Sequence, residues 1–336
     1  IPMDIKKAIH YYTLAADQNV PDAQYLLGQI YFTAKYVTRD MDKCIHYFES
    51  AADQNYIDAQ FMLGNIYLNG IYIERDINKS IHYFTMASKQ NHLDSQFALG
   101  VIYYDTPGLI VDINKAIHFF SLAAKQNHAE SLYFLGVIYE KGQYISQDID
   151  KAVDYFTRAA KQNHIYALFE LGLIYNSDKY EQHNIEKSIH YYTIAANLNH
   201  KESQYNLGVI YYDMRDIKKA MFYFSFAACQ NYAQAQYVLG FIYYTGQFVP
   251  RDIDKAIYFL SLAANQNHPK AQYTIGSIYQ NGQFVIQDIK KAIYYYNLAA
   301  NQNIIEAYYN LGVIYYNGLS IARDIKKATQ YFAYAA

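Results

Sequence analysis

Asp22-Ala23-Gln24-Tyr25-Leu26-Leu27-Gly28-Gln29-Ile30-Tyr31 places Ala23, Leu27 and Tyr31 at i, i+4 and i+8, one face of an α-helix. A second stretch, Asp4-Ile5-Lys6-Lys7-Ala8-Ile9-His10-Tyr11-Tyr12-Thr13-Leu14-Ala15-Ala16, carries apolar residues at 5, 8, 9, 12 and 15 and is again helical. Both stretches recur. The glycine returns as Gly64, Gly100, Gly136, Gly172, Gly208, Gly240, Gly276 and Gly312. The motif Asp-Ile-x-Lys, with Met41 or Asn184 as local variants, begins at 4, 40, 76, 112, 148, 184, 216, 252, 288 and 324. The period is 36 residues with a single interval of 32, and two landmarks in phase define a repeat array.

The punctuation fits paired helices, here termed A and B. Asp4 and its equivalents suit the N-cap of helix B. Gly70, Gly142, Gly246, Gly282 and Gly318 suit a left-handed residue closing helix A, and Asn19 and its eight equivalents suit the same role after helix B. No segment alternates with period 2 for long enough to form a strand, so the expected fold is all-α. One helix pair is too small to bury its apolar face alone, and neighbours must stack. A glycine inside a helix costs about 1 kcal/mol relative to Ala. Nine at one phase imply a close helix–helix crossing.

Composition narrows the function. The 336 residues carry a net charge of -2 with lysines spread evenly, which argues against a nucleic-acid partner. No run of apolar residues is long enough to span a membrane, and Ile1-Pro2-Met3-Asp4 has no signal-peptide character. The chain begins without Met and ends at Ala336, and it reads as a segment of something longer. Cys44 and Cys229, far apart in helical segments, fit a reducing, cytoplasmic setting. The excess of Tyr (41 residues, with no Trp) reads as coding bias. Asn78-Lys79-Ser80 matches a glycosylation sequon by chance at a helix start.

Leu27-Gly28, Ile30-Tyr31, Asp40, Lys43, Tyr47-Phe48 and Ala51-Ala52 together resemble the Sel1-like repeat family, relatives of the tetratricopeptide repeats. The resemblance covers the whole chain as a single array: a lone helix B at 1–20, then repeats 21–56, 57–92, 93–128, 129–164, 165–200, 201–232, 233–268, 269–304 and 305–336. It implies an α/α superhelical solenoid acting as a non-catalytic scaffold or adaptor that holds partner peptides or helices on a concave face. Two alternatives remain open: an architectural component packed side-on in a large assembly such as a cytoskeletal complex, and a regulatory array attached to an enzyme domain outside the segment. Repeat 201–232 lacks four loop residues, and 165–200 replaces the loop glycine with Asn176-Ser177-Asp178-Lys179.

On the expected concave face, positions 22, 25, 29 and 32 of helix A and their equivalents form one stripe. The 25 row is wholly aromatic; it serves either packing between repeats or partner contact. The candidate protein-binding residues from the 29 and 32 rows are Val101, Tyr104, Val137, Leu173, Val209, Tyr212, Phe241, Tyr244, Val313 and Tyr316. Asp22, Asp58, Asp94, Glu130, Glu202 and Glu306 form an acidic edge beside them, suited to a segment carrying basic residues. His10, His46, His82, His118 and His190, and His92, His128, His164, His200 and His268, read as repeat-phase polar surface, too widely spaced to hold a metal. Lys7 and its nine equivalents sit in the first turn of helix B, where the dipole opposes a cation, which suggests a carboxylate partner: the 22 row or a neighbour's N-cap. No phosphate loop, zinc motif or nucleophile elbow occurs, so neither a catalytic residue nor a cofactor is expected.

Overall fold

A computed structural model describes residues 5–35, 37–107, 110–318 and 321–336. Asp4, named above as a cap, lies outside them. The described residues form helices and no strand. Two compact bodies divide the chain, Ile1–Ala167 and Leu168–Ala336, with the division inside α10 (Ile165–Asn176). The first body holds α1 (Ile5–Asp17), α2 (Pro21–Thr33), α3 (Met41–Ala52), α4 (Ile57–Asn69), α5 (Ile77–Lys89), α6 (Leu93–Tyr104), α7 (Ile113–Lys125), α8 (Ala129–Lys141) and α9 (Ile149–Ala160). The second holds α11 (Ile185–Asn197), α12 (Lys201–Asp213), α13 (Ile217–Cys229), α14 (Ala233–Thr245), α15 (Ile253–Asn265), α16 (Pro269–Asn281), α17 (Ile289–Ala300), α18 (Ile305–Asn317) and α19 (Ile325–Ala335). Even-numbered helices are helix A and odd-numbered ones helix B. Within each body the helices pack chiefly against their sequence neighbours, as expected for a solenoid of stacked pairs.

The caps are where the residue types put them. Side chains at Asp40, Asp76, Asp112, Asp148, Asn184, Asp216, Asp252, Asp288 and Asp324 accept from the backbone N–H three residues on. That hydrogen bond holds the Asp40, Asp112, Asp148 and Asp252 carboxyls below their ordinary 3.8. What they contribute is therefore present above pH 3.8 and lost as pH falls through the lowered values. All nine asparagines after helix B take positive φ, between 58° and 65°. Where helix A of 21–56 has no closing glycine, Ala34 takes φ 52°.

The glycine row lies where helix A meets helix B, and the structure shows what fills the close approach. What each glycine admits is a side chain rather than a second backbone. A Cβ on Gly64 would lie 2.5 Å from the Phe84 ring, and one on Gly172 would lie 2.4 Å from the Tyr192 ring. Gly240 is the exception. Leu260 stands in the ring's place, and the Leu260 backbone N lies 3.0 Å from the built Cβ. There the backbone of helix B itself crowds the glycine.

The lysine row is also corrected. Lys43 Nζ lies 3.3 Å from Asp40 Oδ2, the cap of its own helix, and 5.2 Å from the Tyr31 ring centre in the preceding helix A. That ring in turn stacks on Tyr47 at 6.0 Å and 7°. The same lysine-over-ring contact recurs at Lys79–Tyr67, Lys115–Tyr103 and Lys151–Tyr139 in the first body, and at Lys187–Tyr175, Lys219–Tyr211, Lys255–Tyr243, Lys291–Tyr279 and Lys327–Tyr315 in the second. The cation at the helix N-terminus is held between the cap carboxylate and an aromatic face. Many tyrosines thus hold a fixed architectural post, a role the coding-bias reading overlooked.

The 32-residue repeat closes like its neighbours. Asp216 N donates to Tyr211 O at 2.9 Å, as Asp252 N does to Tyr243 O at 3.1 Å across a longer loop, and Arg215 supplies the turn with φ 64°. The shortening removes loop and leaves the helix pair in register.

A buried amide ladder ties repeats together. Gln60 Nε2 donates to Ala52 O at the end of the preceding repeat's helix B, while Gln60 Oε1 accepts from Gln90 Nε2 of its own repeat at 2.9 Å. Gln126–Gln96 repeats this rung in the first body, and Gln230–Gln204, Gln266–Gln236 and Gln302–Gln272 in the second. Leu132 interrupts the ladder and cannot reach Ala124 O; Arg158 Nη2 donates to that oxygen instead, at 3.2 Å. Ala124 O also accepts from Asn127 N, so Arg158→Met is expected to cost only about 0.5–1.5 kcal/mol. Adding Leu132→Gln should recover most of the loss, since Gln162 stands ready to complete the rung. Urea unfolding of both variants checks this; a double variant no better than the single would refute it.

Candidate protein-binding surface

The candidate residues divide between the bodies. In the first, Val101 and Tyr104 of α6 are half-buried, but Val137 of α8 is only 7 % exposed and offers no surface to a partner. In the second, Leu173 is 38 % exposed, Phe241 43 % and Tyr316 50 %, while Val209, Tyr212, Tyr244 and Val313 are half-buried. Val209, Tyr212 and Phe241 do come together. With Phe224, Tyr237, Val238 and Ile242 they line an apolar depression of about 270 Å³. A second depression of about 360 Å³ adjoins it through Val209 and is lined by Leu173, Asn176, Ile185, Tyr192, Asn206, Ile210, Asp213 and Met214. Tyr192 at its floor is fully buried and its hydroxyl accepts from Asn206 Nδ2 at 3.0 Å. Burial pushes that phenol well above its ordinary 10.0.

The 25 row packs inside the array, and one of its members also faces open space. Tyr205 packs on Phe224 at 5.7 Å, and Tyr237 on the ring of His268, which caps the next repeat's helix A, at 4.6 Å, yet Tyr237 also lines the apolar depression. The acidic edge is not neutralised by lysines. Asp22 accepts from Tyr56 Oη at 3.2 Å, Glu130 from His164 Nε2 at 3.0 Å, and Glu202 lies 3.3 Å from His200 Nε2. Asp58, Asp94 and Glu306 are exposed. Trough and acids do not coincide, however. The unbroken run Asp22, Asp58, Asp94, Glu130 lies in the first body; beside the depressions of the second the same row reads Glu202, Gln234, Lys270, Glu306.

Several surface features were missed. Met214 is exposed because the short loop leaves the end of α12 uncovered, and the four-residue deletion was the available signal. On helix B, Phe222, Phe226, Tyr258 and Tyr294 are largely exposed, with Phe222 and Phe226 edge-to-face at 4.7 Å. Phe222, Tyr258 and Tyr294 occupy the row that is histidine at 46, 82, 118 and 190, a change legible in the sequence. His92, His128, His164, His200 and His268, read as polar surface, are N-caps of helix A. Among the described residues no three His, Cys, Asp or Glu side chains gather as a metal site requires, and no helix is long and apolar enough to cross a membrane. Cys44 is buried, which pushes its thiol up to about 12, and Cys229 is exposed. Ser80 of the sequon is fully buried in α5.

Stacked helix pairs joined by ring, lysine and amide ladders, presenting an apolar trough, define an all-α repeat solenoid. The chain belongs to the Sel1 repeat family: that repeat matches residues 1–20, 21–56, 57–92, 93–128, 129–164, 165–200, 201–232, 233–268, 269–304 and 305–336. Among solved structures it is similar to a protective antigen present in uropathogenic Escherichia coli strains and displaying an SLR fold, with 27 % identity over 97 % of this chain and 71 % of that one and a TM-score of 0.80. It is also similar to a Sel1 repeat protein from Oxalobacter formigenes, at 27 % identity over 97 % and 85 % of the two chains and a TM-score of 0.57. No curated protein matches it. Sel1 repeat proteins are generally protein-interaction scaffolds, typically without catalysis of their own.

Proposed function

We propose that this chain is a non-catalytic adaptor that seats apolar side chains of a partner segment in the two adjoining depressions on α10, α12 and α14. The observation that carries this reading is the convergence of Val209, Tyr212, Tyr237 and Phe241 on one open apolar hollow. Exposed aromatics around a pocket are the usual anchors of a protein interface. The mixed edge of Glu202, Gln234 and Lys270 favours a partner selected by its apolar residues over one selected by basic charge. A second reading, an architectural element packed side-on in an assembly, is favoured by the exposed Phe222, Phe226, Tyr258 and Tyr294 on helix B. Crosslinking mass spectrometry in native extract separates the two. The adaptor reading expects one partner segment joined to Lys201 and Lys270, at the starts of α12 and α16. Crosslinks confined to Lys218, Lys255 and Lys290 on helix B would replace it with the architectural one.

A further inference from the structure

Five helix A segments start on a histidine. Nδ1 of His92, His128, His164, His200 and His268 accepts from the backbone N–H three residues on, at 3.2, 3.3, 3.1, 3.3 and 3.2 Å. An imidazole accepts at Nδ1 only when neutral with its proton on Nε2, so the backbone donor fixes the tautomer. Each ring caps helix A of the next repeat and lies on an aromatic in helix A of its own: Phe61, Phe97, Tyr133, Phe169 and Tyr237, with centres 4.6 to 4.9 Å apart. One side chain therefore starts a helix and joins two repeats. Protonation removes the acceptor and sets a cation against the positive end of the helix dipole.

Three of these caps are poised to titrate. Burial holds the His128, His200 and His268 imidazoles below the ordinary 6.5. His128 faces Asp94 from α6, Glu130 of its own helix and the His164 ring; the two carboxylates favour the cation but do not offset burial. His200 faces Glu202 and Lys201 of its own helix and lies on Phe169, and Ser203 Oγ sits beside its partner N–H. His268 faces Lys270, which opposes protonation further, and Tyr237.

We propose that the His128, His200 and His268 caps make the joints between repeats acid-sensitive, protonation expelling each ring from its helix start and its aromatic stack. The unfolded chain takes up these protons first, near pH 6.5. The stability they contribute is complete above that value and is lost as pH falls through the lowered folded-state values. The Asp40, Asp112, Asp148 and Asp252 caps are held below 3.8, outside the range of the test that follows.

The test is thermal unfolding of the full chain by circular dichroism between about pH 7.5 and 5.0, beside a His128→Asn, His200→Asn, His268→Asn variant. Asn caps a helix as well as any residue and does not titrate in this range. The native chain's midpoint is expected to fall with acidification, and the variant's to fall by less than about half as much. An equal fall in both overturns the proposal. If the variant does not fold, nuclear magnetic resonance titration of the native histidines decides: three resonances titrating below 6.5 support it, and none below 6.5 overturns it.

Discussion

Phe120→Ala is expected to lower the stability of the array by about 3–5 kcal/mol, the usual cost of deleting a fully buried ring. Phe120 is 0 % exposed, stacks on Phe134 at 5.1 Å and touches Phe97 and Tyr104. Its ring also fills the hollow above Gly100, where a Cβ would stand 2.4 Å away. The loss of the ring leaves that hollow empty with no side chain on the glycine to collapse into it. Gly100→Ala alone is expected to cost about 1–3 kcal/mol, because the ring must move aside. The two changes share one space, so combined they should cost less than their sum. Gly240→Ala behaves otherwise: besides Leu260 Cγ at 2.7 Å, Leu260 N and Ala256 O crowd its Cβ at 3.0 and 3.1 Å, so shortening Leu260 brings only partial rescue. Urea unfolding of the single and double variants measures all of this. Strict additivity at Gly100 and Phe120 would show that the ring does not rest on the glycine.

Phe241→Asp is expected to weaken partner binding by about 30-fold or more, the loss of about 2 kcal/mol typical of an interface anchor. Phe241 is well exposed, so the substitution spares the core. It places a carboxylate on the wall shared with Val209, Tyr212 and Tyr237, where an apolar side chain would strand it without water or a counter-ion. Tyr258→Asp, more exposed and on helix B, should leave affinity unchanged. Melting curves of both variants establish that neither unfolds, and titration calorimetry with the crosslinked segment as a peptide reads the affinities.

The fold was legible because repetition multiplies weak signals. One Asp before an apolar run is a poor guide to a helix start; a cap residue at ten positions in phase, Asp at nine and Asn at 184, with Asn following helix B nine times, leaves one arrangement. The glycine row was read as a close helix–helix crossing, but nothing in the chain says that Phe48, twenty residues on, lies over Gly28. The lysine row was referred to another repeat, although its own cap three residues earlier and a tyrosine ring nearby were the partners. In both cases the position is written in the sequence and the partner only in three dimensions. The trough was partly legible. Val209, Tyr212 and Phe241 followed from the helical stripe, whereas Val137, on the same row, is covered by neighbouring side chains that periodicity does not reveal. Met214 belongs to the surface only because four loop residues are missing beside it. The histidine caps were unreadable in principle from period alone, because a repeated polar residue at a loop position looks the same whether it meets solvent or a helix start.

The most direct test of the central claim is a photoreactive benzoylphenylalanine placed at position 241, with position 258 as its counterpart on helix B, in the chain expressed in its own cell. A partner segment captured from 241 and not from 258 is the expected result. Capture from 258 alone would contradict the adaptor reading and make the helix B face the working surface.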